Sequence, residues 1–278
     1  MANTITLRKN YSEALDEVYK LSSLTAVLDG DNTLVRAGAN ANEILVPKMS
    51  MSGLADYDRN AGFTSGNVTF EYETKKCGYD RGRMFQVDAE DEEESLGAFS
   101  KLSAEFVRTK VVPELDAYRI AAYANAAGTA VTGTLTTGKA ALDAVSTAKR
   151  KIIDSEANIA TCYLFITADL RGMIDDLDTT ASRRAMEDWA GIVVVPTARM
   201  FKTVKLGADG FTGTQAINFL AADKAAVMQF QKHTVSKIVT PDNNPDADAW
   251  KFGYRTVGIA ETYDNKKLGI YAHTVAAA

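Results

Sequence analysis

The feature that most constrains this chain is one long helical pattern, residues 88–128. Asp88 is a suitable N-cap, and the acidic residues after it occupy the first turn, where the helix dipole favours negative charge. Apolar residues then recur at spacings of three and four: Leu96, Phe99, Leu102 and Phe106. A helix of this length spans roughly 50 Å, several times the usual globular helix. The pattern therefore predicts a spine against which other elements pack.

Two residues modify this prediction. Pro113 lies inside the pattern and removes the hydrogen bond to the carbonyl of Thr109, so a kink or a break is expected there. Gly128 is a natural residue to end the helix, because glycine readily adopts the left-handed conformation of a C-terminal cap.

Extended segments precede the helix. Residues 43–51 have the composition of a strand, and residues 67–75 alternate between apolar and polar side chains, so the two are predicted to pair as a ribbon. Between them, residues 52–66 are longer than most loops inside compact domains, which makes this loop a candidate for function. A third extended piece, 79–87, carries on one face Arg81 and Arg83.

The two ends of the chain differ in character. Residues 1–42 contain a short amphipathic pattern but too few apolar residues for a core, so they are predicted to lie as an arm across the chain's own surface or a neighbour's. The second half has the pattern of a mixed α/β domain, with helices predicted at 139–156, from 168 and at 223–233, and strands at 161–167, 191–196, 201–206 and 217–222. The chain is predicted to finish with two strands, 251–263 and 268–275, joined by a turn in which Asn265 is able to take a positive φ.

Composition and charge exclude several classes of protein. A net charge of −5 argues against wrapping nucleic acid, because neutralising phosphates takes clustered lysine and arginine. No apolar run approaches the roughly 18 residues of a membrane span and no signal peptide is evident, so a protein made and kept in the cytosol is expected. The few cysteines and histidines predict neither a disulfide framework nor a metal or catalytic cluster: Cys77, Cys162, His233 and His273.

One short motif favours an enzyme. Asp29, Asp31 and Thr33 match the nucleophile loop of haloacid-dehalogenase-type phosphatases, in which the first aspartate attacks phosphorus and Mg²⁺ neutralises the phosphate. That family requires the motif at the end of a buried parallel strand, whereas the residues before Asp29 are few and half polar. A phosphatase is therefore kept as the less favoured alternative.

The order of the parts, and two long segments, resemble the major capsid proteins of tailed bacteriophages with the Hong Kong 97-type fold. The segments beginning AGANANEILVPKMSM and NFLAADKAAVMQFQKHT are similar to coat proteins of siphovirus prophages of Gram-positive bacteria. The resemblance implies an α+β fold with an N-terminal arm (1–42), an extended E-loop ribbon (43–87), a long spine helix of a peripheral domain (88–128), a mixed α/β axial domain (129–235) and a C-terminal return into the peripheral domain (236–278).

The resemblance also implies a function. Such a chain is a coat protein and not an enzyme; it assembles with itself into pentamers and hexamers of an icosahedral head around double-stranded DNA, without a cofactor, a metal, specific DNA binding or a membrane. A separate scaffolding protein and a portal are expected partners, and the virion, assembled in the host cytoplasm, is the expected location. An encapsulin-like compartment shell is the alternative that shares the fold. The loop 206–213 is expected to face a ring centre, and the predicted intersubunit contacts are Asp56, Tyr57, Asp58, Arg59, Phe63, Arg81, Arg83, Asn265 and Lys266.

Overall fold

The computed structural model describes residues 23–30, 36–37, 43–60, 62–89 and 103–276, which fall into two units. The described residues of 31–78 form the ribbon unit, and the described residues of 23–30 and 79–276 form the core unit. The strands are β1 (Arg36–Ala37), β2 (Glu43–Met51), β3 (Val68–Lys76), β4 (Tyr79–Asp88), β5 (Thr129–Thr132), β6 (Cys162–Thr167), β7 (Gly191–Val195), β8 (Phe201–Gly207), β9 (Gly210–Asp223), β10 (Val227–Val239), β11 (Ala249–Thr262) and β12 (Ile270–Thr274). The helices are α1 (Val112–Ala126), α2 (Gly138–Asp154), α3 (Ala168–Asp175) and α4 (Thr180–Met186), with 3₁₀ turns at Ala26–Leu28, Ile159–Thr161, Thr197–Arg199, Pro241–Asn243 and Asp264–Gly269.

The larger sheet of the core unit is mixed, in the order β5-β12-β9-β6-β7, and β8 pairs with the first half of β9. Successive residues of a strand point to opposite faces, and here both faces are covered, so the central strands are apolar throughout. Phe165 packs on one face, whereas its neighbours Leu164 and Ile166 pack on the other. This explains why residues 161–167 are almost continuously apolar, and the predicted strand there is confirmed.

Helices cover the two faces of this sheet. One face packs against α2, α3 and α4, which contribute buried residues such as Val145, Ile174 and Ala185. The other face packs against α1 through Ile120 and Tyr123, both fully buried. The core unit is therefore layered around the sheet, and the α+β fold class is confirmed.

The long helix contains a π-turn next to its proline. Residues 103–106 are helical, Val107–Val111 form a π-turn in which the N–H of Val112 donates to the carbonyl of Val107, and α1 continues to Ala126. We call residues 103–126 the spine helix; the predicted helical residues 90–102 lie outside the described residues. The interruption expected at Pro113 thus takes the form of a π-turn, a device that lets a helix absorb a local mismatch.

Gly128 follows the spine helix, but not for the predicted reason, a left-handed C-terminal cap. This residue does not adopt a positive φ; its N–H donates to the carbonyl of Lys267 at 2.9 Å. A Cβ atom at this position would lie only 2.5 Å from that carbonyl oxygen, so the close approach of the two main chains is what requires glycine.

A second, antiparallel sheet in the order β10-β11-β4 packs against the first half of the spine helix. The helix predicted at 223–233 is wrong, because residues 227–239 form β10 and pair with β11 along its length. Asp223 explains the change of direction, since its carboxylate and carbonyl accept hydrogen bonds from Ala225 and Ala226 in a tight turn. Long-range pairing overrides the local helical preference of this segment.

The C-terminal segment also differs from the prediction. Residues 264–269 form a 3₁₀ turn in which Asn265 has no positive φ, and the strands on either side belong to different sheets. The hairpin predicted around Asn265 is therefore wrong: β11 lies in the three-stranded sheet, whereas β12 crosses to the larger sheet between β5 and β9.

Part of the predicted N-terminal arm lies on the chain's own spine helix. Asp116, which is fully buried, accepts hydrogen bonds from the main-chain N–H of Leu24 and Thr25 and from the hydroxyls of Ser23 and Thr25. Leu28 is inaccessible within the core that includes Ile120. The described residues 23–30 are thereby fixed to the core unit, and residues 1–22 lie outside the described part of the chain.

Candidate assembly interface

The outer part of the ribbon, residues 47–51 and 68–72, has one apolar and one polar face, whereas nearer the base Ile44 and Val46 on the second face are buried. In its antiparallel pairing, Met49 stands opposite Phe70, and Met51 opposite Val68. Directly opposed residues share a face, so these four side chains form one apolar surface together with Tyr72. All five are exposed, from 42% for Tyr72 to 68% for Val68. We call them the apolar stripe; the opposite face of the same strands carries Lys48, Ser50, Thr69 and Glu71.

The loop between β2 and β3 is closed by polar contacts at both ends. At its base, the N–H of Ser52 donates to the carbonyl of Asn67, and the N–H of Asn67 donates to the hydroxyl of Ser52. At its tip, Asp58 and Gly62 form an isolated β-bridge, and the carboxylate of Asp58 accepts from the N–H of Asn60 at 2.6 Å. Gly62 has a φ of +82°, a conformation that favours glycine. The loop therefore presents its tip in a defined shape.

Apolar side chains project from this tip. The rings of Tyr57 and Phe63 meet edge to face with centroids 5.0 Å apart, and Phe63 is 91% exposed. Leu54 is fully exposed beside them in the sequence. The structure thus brings together five of the predicted contact residues in one exposed loop: Asp56, Tyr57, Asp58, Arg59 and Phe63. As contacts between subunits they stay predictions.

The structure places Arg81 and Arg83 in a network within the core unit. Arg81 donates to both carboxylate oxygens of Glu114 on the spine helix, at 2.8 and 3.2 Å, and to the carbonyl of Gly207. Arg83 donates to the carbonyl of Ala208 and to the carboxylate of Asp209. The turn between β8 and β9, which was expected to face a ring centre, is therefore held by two arginines of β4.

Burial shapes the chemistry at this network. Glu114 also accepts from the hydroxyl of Tyr79, and burial together with this carboxylate raises the pKa of Tyr79. The hydrogen bonds to Glu114 raise the pKa of Arg81, so the arginine is held in its charged form. Arg81 and Glu114 therefore form a structural ion pair whose hydrogen-bond partners lie within the same chain.

The last two predicted contact residues lie on the 3₁₀ turn before β12. Asn265 and Lys266 are both exposed, and the ammonium of Lys266 lies 5.6 Å from the centre of the Tyr263 ring. Lys267 pairs with Asp264 across one turn at 2.7 Å. This turn belongs to the core unit, and the structure does not bring it together with Arg81 or Arg83 in any described contact.

The phosphatase motif lacks the setting that its chemistry requires. Asp29 follows the 3₁₀ turn Ala26–Leu28 and not a strand, and its carboxylate accepts from the side-chain amide of Gln229 at 2.6 Å. Asp31 lies outside the described residues. Within the described ranges, no three acidic, cysteine or histidine side chains are grouped to hold a metal ion. Among those residues, no helix is long and apolar enough to cross a membrane.

Sequence reasoning missed two parts of this arrangement. It recognised the alternation in β3 but not that the apolar side of the ribbon is left exposed, because exposure depends on what packs against a strand. It also missed the buried carboxylates Glu114 and Asp116, whose sequence positions are those of ordinary surface residues on a helix. No sequence signal distinguishes these buried carboxylates from exposed ones on a helix, because the residues that bury them are far away in the chain.

No protein-family model matches the sequence, and no curated protein matches it. The fold, in contrast, is similar to solved capsid structures. A Gordonia phage Cozz structure is 13% identical with a TM-score of 0.63, covering 92% of this chain and 87% of that one. The mature capsid of bacteriophage PhiM1 is 10% identical with a TM-score of 0.62, covering 86% and 83%. A virus-like particle from Pyrococcus furiosus is 10% identical with a TM-score of 0.59, covering 95% and 98%. The chain thus has the Hong Kong 97-type fold of these shell proteins.

Proposed function

We propose that this chain is the major coat subunit of a tailed-phage head. Copies of it assemble into pentamers and hexamers of an icosahedral shell around double-stranded DNA, in the virion, after assembly in the host cytoplasm. The fold shared with capsid structures supports this proposal. The observation that carries it within this chain is the apolar stripe of the ribbon unit, because its five neighbouring apolar side chains are 42–68% exposed.

The exposed apolar stripe favours a protein partner. Beyond its short pairing with β1, the ribbon has two strands, and isolated two-stranded ribbons are marginally stable in water. Contiguous exposed apolar surface marks an interaction site. Each stripe residue offers about 1–3 kcal/mol when fully buried. A second copy of the chain is the partner that a shell supplies at every position, through contacts repeated head to tail until they close.

The loop tip has the composition of an interface centre. Tyr57 and Phe63 form a rigid aromatic pair, and Asp56, Asp58 and Arg59 surround it with charge. Interfaces place aromatic anchors in the centre and polar groups at the rim. The tip reaches over the spine helix of a neighbouring subunit in this proposal, and Asn265 and Lys266 meet a further neighbour.

The charge of the chain fits a shell that encloses DNA without gripping it. With a net charge of −5, the subunit offers the genome no overall attraction, so counterions neutralise the packaged DNA. A separate scaffolding protein and a portal complete the proposed set of partners. No cofactor or metal enters the proposal.

The test is assembly of the purified full chain, followed by size-exclusion chromatography with light scattering and by electron microscopy. We expect closed shells, alone or with the scaffolding protein supplied. The variant Phe63→Ser should remain folded and lose assembly, whereas Thr69→Ala on the polar face should assemble normally. A chain that stays monomeric under all these conditions contradicts the proposal. Mg²⁺-dependent phosphatase activity that disappears in Asp29→Asn would favour the enzyme instead.

A compartment shell of the encapsulin type is the second candidate. The observation that favours it is the virus-like particle from Pyrococcus furiosus, whose chain is covered to 98% by this one. The two candidates differ in what the shell contains. Particles isolated from the natural source should hold nuclease-protected DNA if the chain forms a phage head, and a protein cargo if it forms a compartment.

A further inference from the structure

The β8–β9 hairpin is a rigid extension of the larger sheet. The second half of β9, from Ile217, lies between β12 and β6, whereas its first half leaves this sheet and pairs only with β8 among the described strands. The direction of β9 changes near Gln215, whose φ of +57° departs from the extended conformation of a strand. From Ile217 to the turn at Gly210 the strand extends about 24 Å.

This hairpin runs alongside the spine helix. Near the helix end, the side-chain amide of Asn125 donates to the carbonyl of Lys202. Leu206, near the hairpin turn, packs with the apolar cluster beneath the three-stranded sheet. The hairpin therefore links the two sheets of the core unit: it is built into one and ends on the other.

At the turn, two arginines hold the hairpin. Arg81 and Arg83 of β4 donate to the carbonyls of Gly207 and Ala208, at 2.6 and 2.7 Å. Arg81 is fixed in turn by Glu114 of the spine helix. We call these two arginines and their carbonyl partners the clasp. A cavity of about 680 Å³ lies beside it, lined by Phe106, Lys110 and Pro113 of the spine helix and by Phe211 of the hairpin. The clasp and the packing of Leu206 therefore hold the tip beside an open space.

A displacement of the hairpin tip rotates the larger sheet relative to the three-stranded sheet. A slip of about 3.4 Å, one residue spacing, over a 24 Å arm turns the larger sheet by about 8° relative to the clasped sheet. Angles between sheets in each subunit add up around a closed shell, so a small change of this angle alters how many copies close it.

We propose that Arg81 and Arg83 are positioning residues that fix the angle between the two sheets and thereby set the curvature of the shell. This inference rests on the proposed function as a shell subunit. Arg83 contributes through a half-exposed side chain whose partner Asp209 is largely exposed. Exposed ion pairs of this kind are weak, so the clasp holds the tip and still allows one chain to fit five-fold and six-fold positions.

The experiment compares particle diameters by cryo-electron microscopy for the full chain and three variants. Arg83→Ala and the double variant Arg81→Lys/Arg83→Ala should form shells whose diameters spread beyond the wild-type distribution, or open sheets. Arg83→Lys, which retains a donor for the Ala208 carbonyl, should narrow the spread again. The matched control is Arg255→Ala: Arg255 makes a two-bond pair with Asp80 inside the three-stranded sheet and leaves the hairpin untouched.

The outcomes separate the two proposals. If the wild-type chain forms shells and the double variant forms shells of the same diameter and uniformity, the proposed role of the clasp is wrong and the proposed function stands. A wild-type chain that forms no particles contradicts the proposed function, and the clasp falls with it. If the double variant is soluble but does not assemble, amide hydrogen exchange of the unassembled subunit decides. Faster exchange at 203–212 with wild-type exchange at 217–223 supports the clasp, and wild-type exchange at both overturns it.

Discussion

The core unit and the ribbon unit treat apolar side chains in opposite ways. In the core unit, Phe165, Phe219 and Ile120 are inaccessible to water, and both faces of the larger sheet are covered by helices. In the ribbon unit, Phe70 and Phe63 are more than half exposed. The first arrangement stabilises a single chain, whereas the second leaves exposed apolar surface of the kind that marks an interaction site.

This contrast separates folding from assembly. Hydrophobic burial is the dominant favourable term in both processes, but the two units contribute it at different stages. Substitutions in the core unit should therefore change the free energy of unfolding of the isolated subunit. Substitutions on the apolar stripe or the loop tip should leave that quantity nearly unchanged and weaken association.

The largest effect is expected from Phe165→Ala. This substitution opens a cavity where the larger sheet packs on the spine helix and should lower the free energy of unfolding by about 3–5 kcal/mol. Urea denaturation of the unassembled subunit measures it. The matched control Phe63→Ala removes the same atoms from an exposed tip and should change that value by less than ~0.5 kcal/mol. Equal destabilisation by the two variants would break the comparison between the units.

The next effect tests whether residues 23–30 belong to the core unit. Asp116→Asn removes the charge that faces Arg199, at 3.1 Å, and leaves buried donors of Ser23 and Thr25 without a full acceptor. The expected loss is about 2–4 kcal/mol. Hydrogen exchange at the amides of Leu24 and Thr25 should become faster, because both donate to this carboxylate.

The control for Asp116 is Asp175→Asn. Asp175 pairs with Arg171 one turn away on the surface of α3, and exposed pairs of this type contribute about 0–0.5 kcal/mol. Slow exchange at Leu24 and Thr25 that persists in Asp116→Asn would show that apolar packing around Leu28 alone holds the segment, contrary to our expectation.

A smaller effect is expected from the stripe. Phe70→Ser removes about 1–3 kcal/mol of burial from each contact with a neighbour, so the subunit concentration needed for assembly should rise about tenfold or more. Light scattering during assembly measures this threshold. Glu71→Ser changes the next residue on the opposite face of β3 and should leave the threshold near the wild-type value. If Glu71→Ser is the more harmful variant, the polar face is the interface.

Prediction from sequence succeeded where the apolar residues of a pattern are the ones that the fold buries. The apolar run 161–167 is a strand buried on both faces, and the helix predicted at 139–156 is α2, with its apolar positions on the sheet. It failed at 223–233, where pairing with β11 makes a strand of residues that favour a helix. For the candidate site, the loop 52–66 was recognisable by its length. The partners of Arg81 and Asp116 were not, because they lie more than thirty residues away in the chain.

The smallest effect concerns pH and should again be confined to the core unit. His273 is buried, stacks on Phe219, and its Nδ1 lies 2.9 Å from the side-chain nitrogen of Asn218, which donates to it. The ring is therefore neutral with its proton on Nε2, and burial lowers the pKa of His273 below its ordinary value of about 6.5.

A lowered pKa fixes the sign of the pH effect. Below about pH 6.5 the unfolded chain binds a proton that the folded chain takes up less readily, so stability should fall as the pH falls through that value. His273→Asn should flatten this pH dependence of stability between pH 7 and 5.5. His233→Gln, which changes the other histidine of the chain, should retain it. Thermal unfolding across this range gives the slopes. Hydrogen exchange, corrected for the intrinsic pH dependence of amide exchange, then locates the effect: acid should lower the protection of β5 and β9, which flank β12, and not that of β2 and β3. Lower protection in the ribbon strands instead would mean that the two units are coupled through more than the chain that joins them.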